Sequence, residues 1–499
     1  MKRLLLLGIV AAFVLGLAAV ASAADIKATG EWYIDADWIG GHNLANRDDG
    51  TQSMDTAYPL GRPKFEIWSR VRTQFEFIAN ENLKGVLATE VSSNKWGASG
   101  VYDLGQTPVA IGVRRAYVDF NWPGTKVNIK AGPLIGVSLP AAIGGGSAIL
   151  DEEISSLVVS APITDNVSIL GVYGRAFSGS AGFAIGGALN TGSYMDAFAL
   201  AVPLKFDGVK VTPFGMYSYA GQNVNAANTI LGRTSIGLLA QNASLATGGL
   251  QAWWGGAAIE VSMFDPFVFK ADVNYGSAKL PKNGSGLGAG SMNQRSGWLA
   301  DLSIAYTGLS FMTPELFFAW TSGEEGNSTT KDGSSKRMPM LVASNWALGS
   351  FFFGGSSLLG GDLISPAREG LATQLGFWAL GLNLKDITFL EGLKHTFTVM
   401  YVQGTNNRDI GLASTAYANT AVGGNSQQIR GSGVVLGRTL TTKDSLWEVD
   451  LNTKYQIYKE LTAYLELGYI APSISKSVWG DSIKSMEATK VAVGVGYTF

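Results

Sequence analysis

The sequence predicts an all-β protein, a transmembrane antiparallel β-barrel of about 18 strands, with 16 as the alternative count. Segments in which polar and apolar residues alternate recur along nearly the whole chain, and this period of two is typical of strands with one wet and one dry face. Short turns and long polar loops alternate between these segments, as they do in outer-membrane barrels. The composition agrees with this class, because the 499 residues include 64 glycines and only 15% charged residues.

The N-terminus predicts export from the cytoplasm. Lys2 and Arg3 form a basic head, residues 4–20 are almost wholly apolar, and Ala21-Ser22-Ala23 supplies the small residues that a signal peptidase recognises. A retained membrane helix is the alternative, but the small residues and the polar stretch after them favour cleavage. We expect residues 1–23 to be a signal peptide and residues 24–499 to form a single transmembrane barrel domain in the cell outer membrane.

The first predicted strand illustrates how each strand was identified. Trp32 and Ile34 lie on its apolar face, whereas Asp35 and Asp37 lie on its polar face. In a closed barrel the apolar face contacts lipid or a neighbouring subunit, and the polar face lines the lumen. By the same pattern the predicted strands cover residues 25–38, 64–79, 83–92, 114–121, 126–131, 157–163, 167–177, 194–206, 209–219, 257–264, 267–278, 298–306, 310–321, 373–384, 395–404, 446–458, 461–470 and 487–499.

The connections between these strands separate a barrel from a secreted β-sandwich, which the composition alone would also allow. Short turns rich in Asn, Asp, Gly and Pro follow the even-numbered strands, and we expect them to be periplasmic. Long polar loops follow the odd-numbered strands, the longest at residues 223–255, 323–372 and 407–443, and we expect them to be extracellular. A sandwich predicts shorter strands and no such alternation of loop lengths.

Several function classes are excluded by residue content. The chain has no cysteine, so disulfides, thiolate metal sites and c-type haem attachment are unavailable to it. The net charge of −2 gives no basic surplus for nucleic acid. A hydrolase would need a Ser and a His with a supporting polar group, and His395 lies beside a short turn, away from any such set. We therefore expect neither an enzyme nor a cofactor.

Two stretches resemble known outer-membrane proteins. The final residues 491–499 alternate apolar with small residues and end in Phe499, like the terminal strand of Gram-negative outer-membrane proteins. Residues 116–120 and 123–132 resemble a hairpin of general bacterial porins, and the loop rhythm of the whole chain is most similar to the homotrimeric porins of sulfate-reducing bacteria. The resemblance implies a homotrimer for passive diffusion of small hydrophilic solutes and ions. It also implies contact with outer-membrane lipid and lipopolysaccharide, and a barrel-assembly machinery that reads Phe499 as an assembly signal.

The resemblance further implies a pore constriction. In general porins the loop after the fifth strand folds into the barrel, and here that loop covers about residues 133–156 and carries Asp151, Glu152 and Glu153. Its middle, residues 137–150, departs from the family because it is apolar and rich in glycine. Clustered carboxylates could instead bind a divalent cation, but no further ligands stand at a fixed spacing, so we expect no metal.

Basic residues are predicted on the opposite side of the constriction. By the alternation of faces, Arg70, Arg72, Arg115 and Lys130 point into the lumen. Opposed charges across a narrow aqueous gap would filter solutes by charge and dipole. The alternative is that the arginines pair along the wall with neighbouring carboxylates, such as Glu66, Glu76 and Asp119.

Three functions remain open at this level. The first is a general diffusion porin. The second is a substrate-selective channel for sugars or anions, which needs a row of aromatic side chains or a continuous row of basic ones; Trp68 shares the wet face with Arg70 and Arg72. The third is a mainly structural or adhesive surface barrel, which predicts negligible conductance.

Overall fold

A computed structural model describes residues 25–41, 44–47, 64–98, 104, 111–178, 194–221, 249–279, 294–325, 334–343, 346–359, 376–409, 437 and 439–499. The predicted signal peptide lies outside the described residues, as do large parts of the three longest predicted loops. Within the described ranges, no helix is long and apolar enough to span a bilayer.

Almost all regular structure in the described ranges is β-strand. The strands in chain order are β1 (Asp25–Gly40), β2 (Ala45–Arg47), β3 (Lys64–Asn80), β4 (Leu83–Lys95), β5 (Gly112–Asn121), β6 (Asn128–Ser138), β7 (Leu150–Pro162), β8 (Ser168–Ser178), β9 (Tyr194–Ala201), β10 (Leu204–Phe206), β11 (Val209–Ala220), β12 (Leu250–Phe264), β13 (Phe267–Lys279), β14 (Gln294–Tyr306), β15 (Thr313–Thr321), β16 (Ser334–Ser335), β17 (Val342–Ala343), β18 (Phe377–Leu390), β19 (Leu393–Gly404), β20 (Ser445–Tyr458), β21 (Leu461–Ser473), β22 (Ile483–Ser485) and β23 (Ala488–Thr498). One short helix, α1, covers Lys476–Trp479.

The strands form a closed antiparallel barrel. In the described part of the chain its wall has eighteen strands, with β9 and β10 counted as two halves of one strand interrupted at Val202-Pro203, where proline lacks the N–H that a ladder needs. The ends of the sheet meet where β1 pairs with β23, from Glu31 opposite Thr498 to Gly40 opposite Thr489. Of the short strands, β2 pairs with β22, while β16 and β17 add parallel to β14 and β7.

The exterior of the wall is apolar. Trp298, Leu316 and Val493 lie on different strands and are 48%, 50% and 49% exposed. Near the barrel end opposite to the short turns, the ring of Tyr275 lies 5.2 Å from that of Trp253 and 4.7 Å from that of Trp298. An apolar belt with an aromatic girdle on a closed antiparallel barrel is the form that outer-membrane proteins take. The chain is an outer-membrane β-barrel.

Most predicted strands agree with the observed ones, although β12 starts at Leu250 and not at the predicted residue 257, so residues 250–255 of the predicted long loop 223–255 belong to the wall. The remaining differences include two where the barrel departs from a simple up-and-down wall. The strand predicted at residues 157–163 starts at Leu150, and the one predicted at 126–131 continues to Ser138. The strand predicted at 373–384 lies at Phe377–Leu390. The differences in β6 and β7 have one cause: both strands extend beyond the wall into the lumen, where the apolar residues that indicated a loop are covered by protein.

Two elements occupy the lumen. The first is the inserted hairpin, residues 135–154, which comprises the end of β6, the connection that follows it and the start of β7. The wall strand β5 pairs with β6 only over Val118–Asn121, and β8 pairs with β7 only from Ser155 onward, so the hairpin beyond these pairs leaves the wall. The second, the inserted segment, comprises residues 336–343 and 346–359 between β15 and β18, and most of its apolar side chains are buried.

Candidate functional site in the barrel lumen

The inner wall carries a continuous network of arginines and glutamates that joins β1, β3, β4 and β5 to the inserted hairpin. Each residue contacts the next, with charges of alternating sign. In order along the network the members are Arg70, Glu31, Arg72, Glu90, Arg114, Glu153 and Arg115. Four arginines therefore meet three glutamates.

The distances show that these are direct ion pairs rather than charges facing each other across a gap. The Arg72 guanidinium lies 3.0 Å from Glu31 and 2.7 Å from Glu90. The carboxylate of Glu153 lies 2.5 Å from Arg114 and 3.0 Å from Arg115. The arginine side chains of the network are 20–31% exposed, so the network is accessible from the lumen. It places one net positive charge there.

The acidic residues predicted in the loop lie on a strand instead. Asp151, Glu152 and Glu153 belong to β7, and of the three it is Glu153 whose carboxylate contacts the arginines of β5. Lys130 is separate from the network, because its Nζ lies 3.9 Å from Asp119 on the same wall. The structure thus brings Arg115 and Glu153 together, and places Arg70 and Arg72 on glutamates of the neighbouring strands.

Arg114 was not among the residues predicted to face the lumen. Strict alternation assigns Arg114 to the face opposite Arg115, but the pairing of β4 with β5 shifts between Ala88 and Thr89, and this irregularity lets both arginines contact Glu153. A β-bulge places two consecutive side chains against one partner in this way. The only signal in the sequence that could have indicated the position of Arg114 is that it directly precedes Arg115, which was predicted to face the lumen.

Gly132 marks the point where the inserted hairpin leaves the wall. Its φ of +157° and its closeness to β5 both require glycine: a Cβ at this position would lie 2.4 Å from the carbonyl oxygen of Ala116. Two residues later Leu134 has a positive φ of 58°, and the β6–β7 register shifts between Gly132 and Ile135. This irregularity turns the hairpin inward, and Gly136 then lies against the guanidinium of Arg115.

Carboxylates of the wall hold the inserted segment through its backbone. Glu448 accepts hydrogen bonds from the N–H groups of Phe351 and Phe352, both at 3.1 Å. Asp450 accepts one from Ser350 at 3.0 Å, and Glu466 accepts one from Ser357 at 2.7 Å. These backbone hydrogen bonds to three wall residues fix the path of the segment across the lumen.

Two further acidic residues of the wall connect the inserted hairpin with the inserted segment. Asp272 and Asp301 lie opposite each other on β13 and β14. Asp272 accepts hydrogen bonds from the N–H groups of Ala142 and Ile143 at the tip of the inserted hairpin, at 2.8 and 3.0 Å. Asp301 accepts one from Nε1 of Trp346 in the inserted segment, at 3.1 Å. The same wall position therefore anchors both elements.

The inserted segment also packs against glycines and aromatic residues. Phe353 stacks on Phe377 with ring centroids 4.3 Å apart. A Cβ on Gly468 would lie 2.9 Å from the ring of Phe351, and one on Gly494 would lie 2.9 Å from Leu358. Inward-facing glycines thus provide room for the segment. The acidic residues on the inner faces of β20 and β21, together with the apolar run at residues 346–353, are the sequence signal that could have found it.

A polar cavity of about 500 Å³ lies below the inserted elements, in the half of the barrel with the short turns. The tip of the inserted hairpin and the backbone of residues 347–349 cover it on one side. On the other side it is lined by side chains of β13–β15 and β18–β20, namely Lys270, Ser303, Glu315, Phe317, Asn383, Lys385, Thr396, Thr398 and Asn452.

Other kinds of site find no support among the described residues. No three His, Cys, Asp or Glu side chains in the described ranges are placed to hold a metal ion, and Asp151, Glu152 and Glu153 are no exception. Nδ1 of His395 lies 2.8 Å from the hydroxyl of Thr453, on the neighbouring wall strand. Trp68, the aromatic candidate for a selective channel, is only 8% exposed.

Comparison with known proteins gives structural neighbours but no family. No protein-family model matches the chain, and no curated protein matches it. Among solved structures, Pseudomonas aeruginosa OprD is 10% identical, with 96% of this chain and 97% of that chain covered at a TM-score of 0.47. Pseudomonas aeruginosa OccD3 (OpdP) is 10% identical, with 96% and 92% covered at 0.47. Acinetobacter baumannii OccAB1 is 9% identical, with 96% and 99% covered at 0.47. At this identity no residue role transfers from those chains to this one.

Proposed function

We propose that the chain is a porin, a water-filled outer-membrane channel through which small hydrophilic solutes and ions diffuse passively. The observation that carries the proposal is the contrast between the two faces of the wall. The outer face presents bare Trp, Leu and Val side chains, whereas the inner face of β1 and β3–β5 presents a partly exposed row of paired charges. Partly exposed charges are stabilised by contact with water. A water-filled lumen that crosses the membrane conducts ions.

The path for solutes follows from what fills the lumen. The inserted segment covers the inner faces of β20, β21 and part of β1, where Glu448, Asp450 and Glu466 are at most 1% exposed. The arginines of β3 and β5 remain accessible. We therefore place the path along Arg70, Arg72 and Arg115, with the inserted hairpin and Glu153 at its narrowest part. Asp151, Glu152 and Lys130 are the further predicted members of this constriction.

A substrate-selective channel is the second candidate, and the lumen itself favours it over an open pore. Two inserted elements, anchored at Asp272 and Asp301, occupy part of the lumen. The four arginines of the network also form a continuous row on one wall, although each contacts a glutamate. The polar cavity beneath the inserted elements adds a site at which a solute could bind during its passage.

Conductance separates these functions from a structural or adhesive barrel. Protein purified in detergent is added to a planar bilayer in potassium chloride, and single-channel currents are recorded. Discrete ohmic steps are the expected result, together with swelling of proteoliposomes in small sugars. A folded barrel that inserts but gives neither current nor swelling would overturn the proposal in favour of the structural barrel.

The assembly state is a separate proposal that rests on the resemblance to homotrimeric porins. We propose a homotrimer in lipid and lipopolysaccharide that the barrel-assembly machinery inserts with Phe499 as its signal. Current steps that occur in groups of three, and a trimer mass by native mass spectrometry in detergent, are the expected results. A monomer by mass that conducts in single steps would contradict the trimer and leave the channel function intact.

A further inference from the structure

The polar cavity has the size and position of a binding subsite. Its volume of about 500 Å³ lies within the range of about 300–1,000 Å³ typical of small-molecule pockets. It lies between the wall and the two inserted elements, with the backbone of Gly144 and Gly145 on one side and Asn383 and Asn452 on the other. The cavity lies between the inserted elements and the end of the barrel with the short turns.

Its side chains are already held in place by a row of hydrogen bonds. The hydroxyl of Thr398 donates to Oδ1 of Asn383 at 2.8 Å, and Nδ2 of Asn383 donates to Oε1 of Glu315 at 3.0 Å. The ammonium of Lys385 lies 2.5 Å from the same carboxylate oxygen. A row that is oriented before a ligand arrives loses little side-chain entropy on binding.

The row leaves further donors and acceptors available. In the part of the chain that the structure describes, the hydroxyls of Ser303 and Thr396 and the amide nitrogen of Asn452 make no hydrogen bond to protein, while Oδ1 of Asn452 accepts one from Ser350 at 3.1 Å. Lys270 contributes an ammonium whose nearest carboxylate is 3.9 Å away. Hydroxyl and amide groups that donate and accept in alternation match the vicinal hydroxyls of a polyol.

The charges of the lining argue against an ionic ligand. Glu315 lies between Asn383 and Lys385 and would repel a carboxylate or phosphate, and its negative charge offsets one of the two lysines. A cation would meet Lys270 and Lys385. Phe317 adds an apolar surface to the same lining, as a sugar ring with one apolar face requires.

We propose that this cavity is a binding subsite for a neutral polyhydroxylated solute of monosaccharide or disaccharide size. The proposal rests on the channel function proposed above and names the class of solute that the channel retains. The subsite slows such a solute within the lumen, so the solute blocks ion current while it is bound.

The test measures block of ion current by sucrose, with glucose as the smaller probe, in bilayers containing the full-length protein. We expect sucrose to reduce the open-channel current with saturation at millimolar concentrations. In the variant Asn383→Leu/Thr398→Val, we expect the half-saturating concentration to rise at least tenfold, with the block measured relative to the variant's own sugar-free current. Thr396→Val, which removes one hydroxyl at nearly constant volume, serves as the milder variant if the double variant does not fold.

The control is Gln74→Leu, which removes an amide from the inner face of β3 outside the cavity and should leave the block unchanged. A wild-type channel that conducts but shows no saturable block by either sugar overturns the subsite and leaves the channel function standing. Block by gluconate but not by glucose overturns the neutral class. Absence of current from folded protein overturns the channel itself.

Discussion

Glu153 accepts hydrogen bonds from Nε and Nη2 of Arg115, at 3.3 and 3.0 Å. This contact ties the inserted hairpin to the wall strand that it has just left. It also places a carboxylate beside two arginines at the edge of the lumen, because Arg114 contacts the same oxygen. The side chain of Glu153 therefore contributes both to the position of the hairpin and to the charge of the proposed path.

Neutralising that carboxylate should change ion selectivity. In Glu153→Gln, Arg115 loses its carboxylate partner and Arg114 keeps only Glu90 among the described residues, so we expect the reversal potential in a potassium chloride gradient to shift towards anion preference. A unit charge 4 Å from a passing ion in water is worth about 1 kcal/mol, with opposite sign for cations and anions, so the ratio of their permeabilities should change by at most about thirtyfold. Replacing Asp151 and Glu152 as well should enlarge the shift.

The matched control for this change is Glu391→Gln, which removes an exposed carboxylate from the short turn between β18 and β19. It should leave the reversal potential unchanged. An unchanged reversal potential in both the single and the triple variant would show that ions do not pass this hairpin, and the proposed constriction would be wrong.

Weakening the anchor of the inserted segment should widen the channel. In Glu448→Gln an amide NH₂ replaces one of the two oxygens that accept from Phe351 and Phe352, so one buried N–H loses its acceptor. Such a loss costs about 1–3 kcal/mol. We expect larger or noisier single-channel currents and faster proteolysis within residues 346–359, with the barrel itself still folded.

Glu460→Gln in the short turn before β21 is the corresponding control and should conduct like the original protein. If Glu448→Gln conducts with unchanged amplitude and unchanged protease resistance, the wall carboxylates do not hold the inserted segment in the membrane.

A side chain at Gly132 should block formation of the inserted hairpin. In Gly132→Val the branched Cβ would lie within 3 Å of the Ala116 carbonyl and of Tyr117. We expect a much lower yield of the compact, heat-modifiable form on cold SDS gels. Gly85→Val on β4 is the control, because nothing lies within 4 Å of its Cβ position. Equal yields for the two variants would contradict the tight crossing at Gly132.

The seam that closes the barrel should depend on Phe499. Its backbone exchanges hydrogen bonds with Gly30, at 2.9 and 3.2 Å, and its ring lies 5.4 Å from Tyr497 and 6.1 Å from Trp32. Two such aromatic pairs contribute about 1–3 kcal/mol. We expect Phe499→Ala to fold into vesicles more slowly and to unfold at a lower urea concentration than Phe206→Ala, whose ring is exposed elsewhere on the barrel. Equal folding rates and equal urea midpoints for the two variants would show that Phe499 does not contribute to closure of the barrel.

The barrel could be predicted from the amino-acid sequence alone. Alternation within each strand assigned Trp32 and Ile34 to the outer face and Asp35 and Asp37 to the inner one, and the structure has them so. Alternation is local and is set by the backbone, so it can be read without knowing any partner strand. The order of short and long connections then gave the antiparallel wall of eighteen strands.

The elements that fill the lumen could not be predicted in this way and are known from the three-dimensional structure. The sequence placed Asp151–Glu153 in a loop and residues 323–372 among the extracellular loops, whereas β7 begins at Leu150 and residues 346–359 lie inside the barrel. The physical reason is that the sequence pattern of an inward-facing Asp or Glu is the same whether its carboxylate contacts water or accepts a hydrogen bond from a backbone N–H. That choice depends on residues about one hundred positions away, as between Phe351 and Glu448, and folding alone brings them together.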